Sequence, residues 1–128
     1  MKYLIVCLLL VALHSGCRES TEPSAKDVYV AFDLESAFQN DLVTMLLDDK
    51  TLLESRITTN YTISLAWSTG LKKLSNDHHS LYVALLEYGV HNSYNVDLTN
   101  DTSTVAIRFN RSTNQITFQQ YKGRLLRD

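Results

Sequence analysis

From Asp27 onward the sequence predicts an all-β domain, a single antiparallel β-sandwich of seven or eight short strands. Two observations lead there. Apolar residues recur with period 2 in one segment after another, and polar turn clusters divide these segments at intervals of about 8 to 12 residues. Both are marks of short strands packed face to face.

The first strand is expected in "DVYVAFDL", where Val28, Val30, Phe32 and Leu34 share one face and Tyr29, Ala31 and Asp33 the other. "DLVTMLLDDKTLLESRITT" reads as a hairpin. Val43, Met45 and Leu47 alternate before Asp48-Asp49-Lys50, and Leu53 and Ile57 after it, with Leu52, Glu54 and Arg56 outward. "YTISLAWS" has the cleanest alternation, with Tyr61, Ile63, Leu65 and Trp67 on one side. "GLKKLSNDHHS" then reads as a polar turn.

"SLYVALLEYGV" is almost continuously apolar, as expected of a central strand covered on both faces. Leu81, Leu85 and Tyr88 also suit a helical period, but the β-branched and aromatic content favours a strand. "SYNVDL" alternates again at Tyr94, Val96 and Leu98. Finally, "TVAIRFNRSTNQITF" predicts a hairpin with Val105, Ile107 and Phe109 against Ile116 and Phe118. Beyond Gly16 only Gly70, Gly89 and Gly123 occur, so the turns fall to Asp, Asn and Ser. Asn and Asp tolerate left-handed backbone and bond their own chain.

The first 26 residues have another character. One charge, Lys2, precedes an apolar run from Leu4 to Leu13, followed by Ser15 and Gly16. The run is shorter than the ~20 residues a membrane-spanning helix needs and has the order of a signal-peptide core. Residues 1–16 are therefore read as an export signal. Cys7 lies inside that signal, which leaves Cys17 as the one thiol of the mature chain and excludes an internal disulfide.

"LHSGC" resembles the lipobox of bacterial lipoproteins, in which a small-residue pair precedes an invariant cysteine. Ser15 and Gly16 match that pair, and His14 stands where an aliphatic residue is usual. The resemblance implies that Cys17 is acylated and becomes the new N-terminus, so that the partner of the chain is membrane lipid. Several acyl chains on one residue give stable attachment where one would be marginal. "RESTEPSAK", residues 18–26, is polar, contains the only proline, and serves as a flexible tether. Residues 17–26 thus form the lipidated N-terminus and tether, and residues 27–128 the domain.

In the same lipoproteins an Asp after the cysteine is the usual inner-membrane retention signal. Arg18 in its place implies the outer membrane of the bacterial cell envelope. The layout of residues 27–120 is also similar to small bacterial lipoproteins with one immunoglobulin-like sandwich. That likeness implies a fold and transfers no catalytic residue.

A secreted eukaryotic glycoprotein is the alternative source, because sequons occur at Asn60, Asn100 and Asn110. With 8 Asn, and 24 Ser or Thr among 128 residues, chance gives about 1.5 sequons, so three do not displace the bacterial reading.

Chain 17–128 carries 11 Lys and Arg (12 less Lys2) against 14 Asp and Glu, a formal charge of −3. These charges are scattered, which argues against a nucleic-acid footprint and against a polybasic lipid patch. Asp77-His78-His79 is the tightest group of metal-ligand types, with His91 as a third histidine. Adjacent strand residues point to opposite faces, and no HExxH or CxxC spacing is present, so a solvated turn is preferred to a metal site at His78, His79 and His91. No nucleophile elbow or phosphate loop appears, Ser80 beside His79 is sequence adjacency, and Asp48-Asp49 reads as turn chemistry.

The expected function is a non-catalytic interaction or structural module without a cofactor, whose partner is an envelope protein or a glycan. A carbohydrate-binding domain is the alternative, since Tyr29 and Tyr94 are candidates for outward-facing ligand contacts. Trp67 is assigned to the core by its parity with Ile63 and Leu65.

Overall fold

A computed structural model describes residues 26–125. The export signal, Cys17, and the tether up to residue 25 lie outside the described residues, as do residues 126–128. Eight strands form two four-stranded sheets, a β-sandwich as the sequence predicts. The first sheet contains β1 (Val28–Ser36), β4 (Trp67–Leu74), β7 (Thr102–Asn110) and β8 (Gln115–Lys122), in the order β4-β1-β7-β8. The second contains β2 (Asp41–Leu47), β3 (Lys50–Ile57), β5 (Ser80–Leu85) and β6 (Val90–Asn95), in the order β3-β2-β5-β6.

All neighbours pair antiparallel except β1 and β7, which are parallel. In an immunoglobulin sandwich the first two strands share a sheet. Here β1 and β2 lie in opposite sheets.

Alternation in the sequence becomes burial in the fold. Val28, Val30, Phe32 and Leu34 face the core from β1, and Val105, Ile107 and Phe109 from β7. Val43, Met45 and Leu47 of β2 meet them with Leu81, Val83 and Leu85 of β5. Removing these side chains from water is the main favourable contribution to folding.

The β2–β3 hairpin turns on Asp48 and Asp49, at φ 50° and 65°, with Leu47 opposite Lys50. Two left-handed residues in a two-residue turn are what the right-handed twist of the flanking strands favours. The β7–β8 hairpin pairs Ile107 with Phe118 and Phe109 with Ile116. At its tip the Asn110 carboxamide accepts the Ser112 and Thr113 N–H groups, and Asn114 takes φ 55°.

Three expected segments fold differently. "YTISLAWS" is not a strand until Trp67. Asn60 and Leu65 bond reciprocally through their backbones, the Asn60 side chain accepts the Thr62 N–H, and Ser64 sits at φ 52°. Local side-chain bonding here outcompetes the ladder that the alternation suggests. β4 instead runs on through "GLKKL", expected as a turn. Gly70, at φ 65°, lies where the β1–β4 register slips between Ala31 and Asp33, so the glycine marks a bulge inside a strand. The apolar run from Leu81 breaks after Leu85 into a 3₁₀ turn, Leu86–Tyr88, closed by left-handed Gly89. β6 therefore begins at Val90 rather than Ser93, and β5 is central as expected.

Strand direction gives the sandwich two ends. One, the proximal end, carries the 48–49 turn, the 75–79 loop, the 96–101 crossover and Lys26, the first described residue. The distal end carries the 37–40 connection, the 58–66 loop, the 3₁₀ turn and the 111–114 turn.

Candidate functional site

Chemistry-bearing side chains converge at the proximal end around His79. The ring is buried, 8 % exposed, just before β5. Its Nδ1 lies 2.5 Å from Asp48 Oδ2, and its Nε2 lies 2.8 Å from the Ser75 carbonyl oxygen and 3.3 Å from Ser75 Oγ. Asp48 also accepts the Ser80 N–H through Oδ1 and donates its own N–H to the Ser80 carbonyl. The left-handed turn at Asp48 thus aims its carboxylate back over the start of β5.

Burial pulls the His79 pKa down, but the bond to Asp48, the bond to the Ser75 carbonyl, and the charges of Asp48 and Asp77 outweigh it. The net shift is upward. In the reverse direction, His79 hydrogen bonding holds Asp48 below the usual carboxylate value, against a smaller opposing effect of burial.

Ser75, His79 and Asp48 include the residue types of a hydrolytic triad, so geometry must decide. A triad base accepts the serine proton on Nε2. Here Nε2 is closer to the Ser75 carbonyl, an acceptor, than to the hydroxyl. Nitrogen facing a carbonyl at that distance donates, which leaves no lone pair for Ser75 Oγ. The cluster holds a loop and does not activate a nucleophile.

The predicted histidine group is not brought together. His78 and His91 are exposed. His91 pairs with Ala84, five residues along the chain from His79, about 17 Å away at strand spacing. It faces Tyr82, with ring centroids 5.7 Å apart. Among the described residues no three His, Cys, Asp or Glu side chains are grouped to hold a metal ion.

Tyr29 and Tyr94, the candidate ligand contacts, take opposite positions. Tyr29 is 39 % exposed on the outward face of β1, as expected. Tyr94 is corrected: its ring points between the sheets, stacks on Phe118 at 5.3 Å, and donates its hydroxyl to Gln120. Burial, with a smaller effect of Asp97, raises its pKa. The alternation of residues 93–98 places Tyr94 on this same apolar side with Val96 and Leu98. Trp67 is half-buried against the core, but without Ile63 and Leu65 as strand neighbours.

Among the described residues, neither outward face carries a platform of two exposed rings. Beside Tyr29, the first sheet has only half-buried Tyr121, whose hydroxyl meets Arg108. The trough between them, floored by Ala31, Thr104 and Ala106, is crossed by the chain after β8. There the Gly123 carbonyl accepts the Thr104 hydroxyl, and Arg124 donates to both oxygens of buried Asp33 and to Ser68. On the second sheet Tyr82 is half-buried beside His91.

A third polar group closes the distal end. Asp41, 2 % exposed, accepts from Arg111 and from the Tyr88 hydroxyl. Arg111 also donates to the Ala37 carbonyl and lies over the Tyr88 and Phe109 rings, 5.6 and 5.5 Å from their centroids. Sequence reasoning missed these pairings. The partners stand 70 residues apart for Asp41 and Arg111 and 31 for Asp48 and His79, and no local pattern links them.

None of the protein-family models, curated proteins or solved structures compared with this chain matches it.

Proposed function

We propose that the chain is an exported lipoprotein, acylated at Cys17 and held at the bacterial cell envelope by the tether 18–26, whose sandwich is a non-catalytic interaction module. Arg18 after the acylated cysteine assigns it to the outer membrane in an organism that has two membranes. The apolar run from Leu4 to Leu13 and the Ser15-Gly16-Cys17 sequence support the anchor.

One observation about the surface carries the interaction reading. Of the five exposed large apolar side chains among the described residues, three belong to the distal loops: Tyr61 at 63 %, Leu86 at 64 % and Tyr88 at 40 %. They lie at the end opposite the tether, where a module fastened by its N-terminus meets a partner. Arg111 beside Tyr88 adds a second residue type that concentrates in protein interfaces. A partner protein fits these features better than a glycan, because the aromatic side chains sit on loop tips and not on a flat sheet face.

Two measurements test the anchor and the surface separately. Cys17→Ser in the full chain should move the protein from the membrane to the soluble fraction, and intact mass should show an acylated N-terminus at Cys17. Unchanged partitioning defeats the anchor. A photo-crosslinking side chain in place of Tyr61 or Leu86 should trap one discrete adduct in cells, while the same group at exposed Thr117 should not. Equal trapping at all three positions, or none, defeats the distal surface.

A further inference from the structure

His79 makes two bonds that only its cationic form can make together. Asp48 offers Nδ1 a carboxylate and Ser75 offers Nε2 a backbone carbonyl, at 2.5 and 2.8 Å. Both are acceptors, and a neutral imidazole carries one N–H. A neutral ring would turn a lone pair toward one of them, with the ring itself buried and its partners at the edge of solvent. Burial raises the cost of that mismatch.

The ring is also a junction. Its own loop, 75–79, leaves β4, its carboxylate partner belongs to the β2–β3 turn, and its backbone carbonyl accepts the Val96 N–H at the start of the crossover to β7. That crossover ends at Asp101, which pairs with Lys26 at 2.7 Å and accepts the Tyr29 N–H through its carbonyl. Three connections at the proximal end therefore meet at one residue, two through its side chain and one through its backbone.

We propose that His79 is a proton-operated latch: as an imidazolium it pins the 75–79 loop to the β2–β3 turn, and loss of its proton frees that loop and the 96–101 crossover. The charged groups around it favour the closed state. From the β2–β3 turn come Asp48, Asp49 and Lys50, from its own loop Asp77 and His78, and from the crossover Asp97. Of these, Asp48 and Asp77 act on the ring and favour its cation.

Its direction with pH follows from the two shifts. The folded His79 pKa lies above the usual 6.5, so its contribution is complete below that value and fades as pH rises through the folded pKa. Asp48 is shifted down from 3.8, so its contribution is complete above that value and fades as pH falls through the lowered pKa. The latch is closed between the lowered pKa of Asp48 and the raised pKa of His79, and opens as pH rises through the latter.

The test uses the full chain in detergent micelles. Imidazole nitrogen NMR should show both His79 nitrogens protonated at pH 6 and a titration midpoint above 6.5. Amide exchange, corrected for its intrinsic pH dependence, should show the Ser80 and Val96 N–H groups losing protection through that same titration. The loss should be about tenfold for each unit by which the pKa is raised. His79→Gln should show low protection there at every pH. A singly protonated ring at pH 6, or protection that stays constant through the titration, overturns the latch. The wild-type titration decides alone if His79→Gln does not fold.

Discussion

Arg111 of the β7–β8 turn holds the buried carboxylate of Asp41 at the start of β2, joining the two sheets across the distal end. All three guanidinium nitrogens are used, on Ala37, Tyr88 and Asp41. Removing the cation leaves Asp41 out of water with the Tyr88 hydroxyl and the Gln39 N–H as its remaining donors. Arg111→Ala should cost about 3 kcal/mol or more in denaturant unfolding, the range for breaking a buried ion pair from one side. Arg111→Lys should recover only part of this, because an ammonium cannot bond three divergent acceptors from one plane. A loss below about 1 kcal/mol for Arg111→Ala would show that the pair does not join the sheets.

Asp33 and Arg124 make the corresponding test on the first sheet. Asp33 is on the outward face of a central strand yet fully buried, because the chain after Gly123 crosses above it. Arg124 donates to both carboxylate oxygens at 3.0 and 2.9 Å, and Ser68 Oγ adds a third bond. Arg124→Ala should destabilise by about 3 kcal/mol. Arg124→Met with Asp33→Asn should regain most of it, since the charge needing compensation is then gone. A double variant no better than the single one in a double-mutant cycle would refute the pairing as the source of the loss.

Which parts of this architecture can be read in the sequence depends on the range of the interactions that form them. The β2–β3 and β7–β8 hairpins are local, and period-2 apolar residues on each arm fix register and inward face together. The β4 strand was not legible. Its central bulge at Gly70 mimics a turn, and the alternation just before it, at Tyr61 to Leu65, belongs to a loop held by Asn60. Outer-face burial was equally hidden, since Asp33 reads as a solvated residue until Arg124, 91 positions later, is placed over it. At the proximal end Asp48 was legible as a turn residue and His79 as a loop residue. Their bond was not, because only the pairing of β2 with β5 brings them together.

The β2–β3 turn separates the conformational role of an aspartate from its bonding role. Asp48 and Asp49 share left-handed backbone, at φ 50° and 65°, and each is strained there by about 1 kcal/mol relative to glycine. Asp49→Gly removes that strain and yields the Asp-Gly pair such turns favour. The greater entropy of an unfolded glycine offsets part of the gain, so stability should rise by about 0.5 kcal/mol. Asp48→Gly removes the same strain but also the acceptor for His79 Nδ1 and for the Ser80 N–H. Charge-assisted bonds of this kind contribute about 1.5–3 kcal/mol, more than the strain they accompany, so the second substitution should destabilise. Thermal melts of the two variants should therefore move in opposite directions from one turn. Equal shifts would mean that Asp48 serves the turn alone and that its bond to His79 adds nothing to the fold.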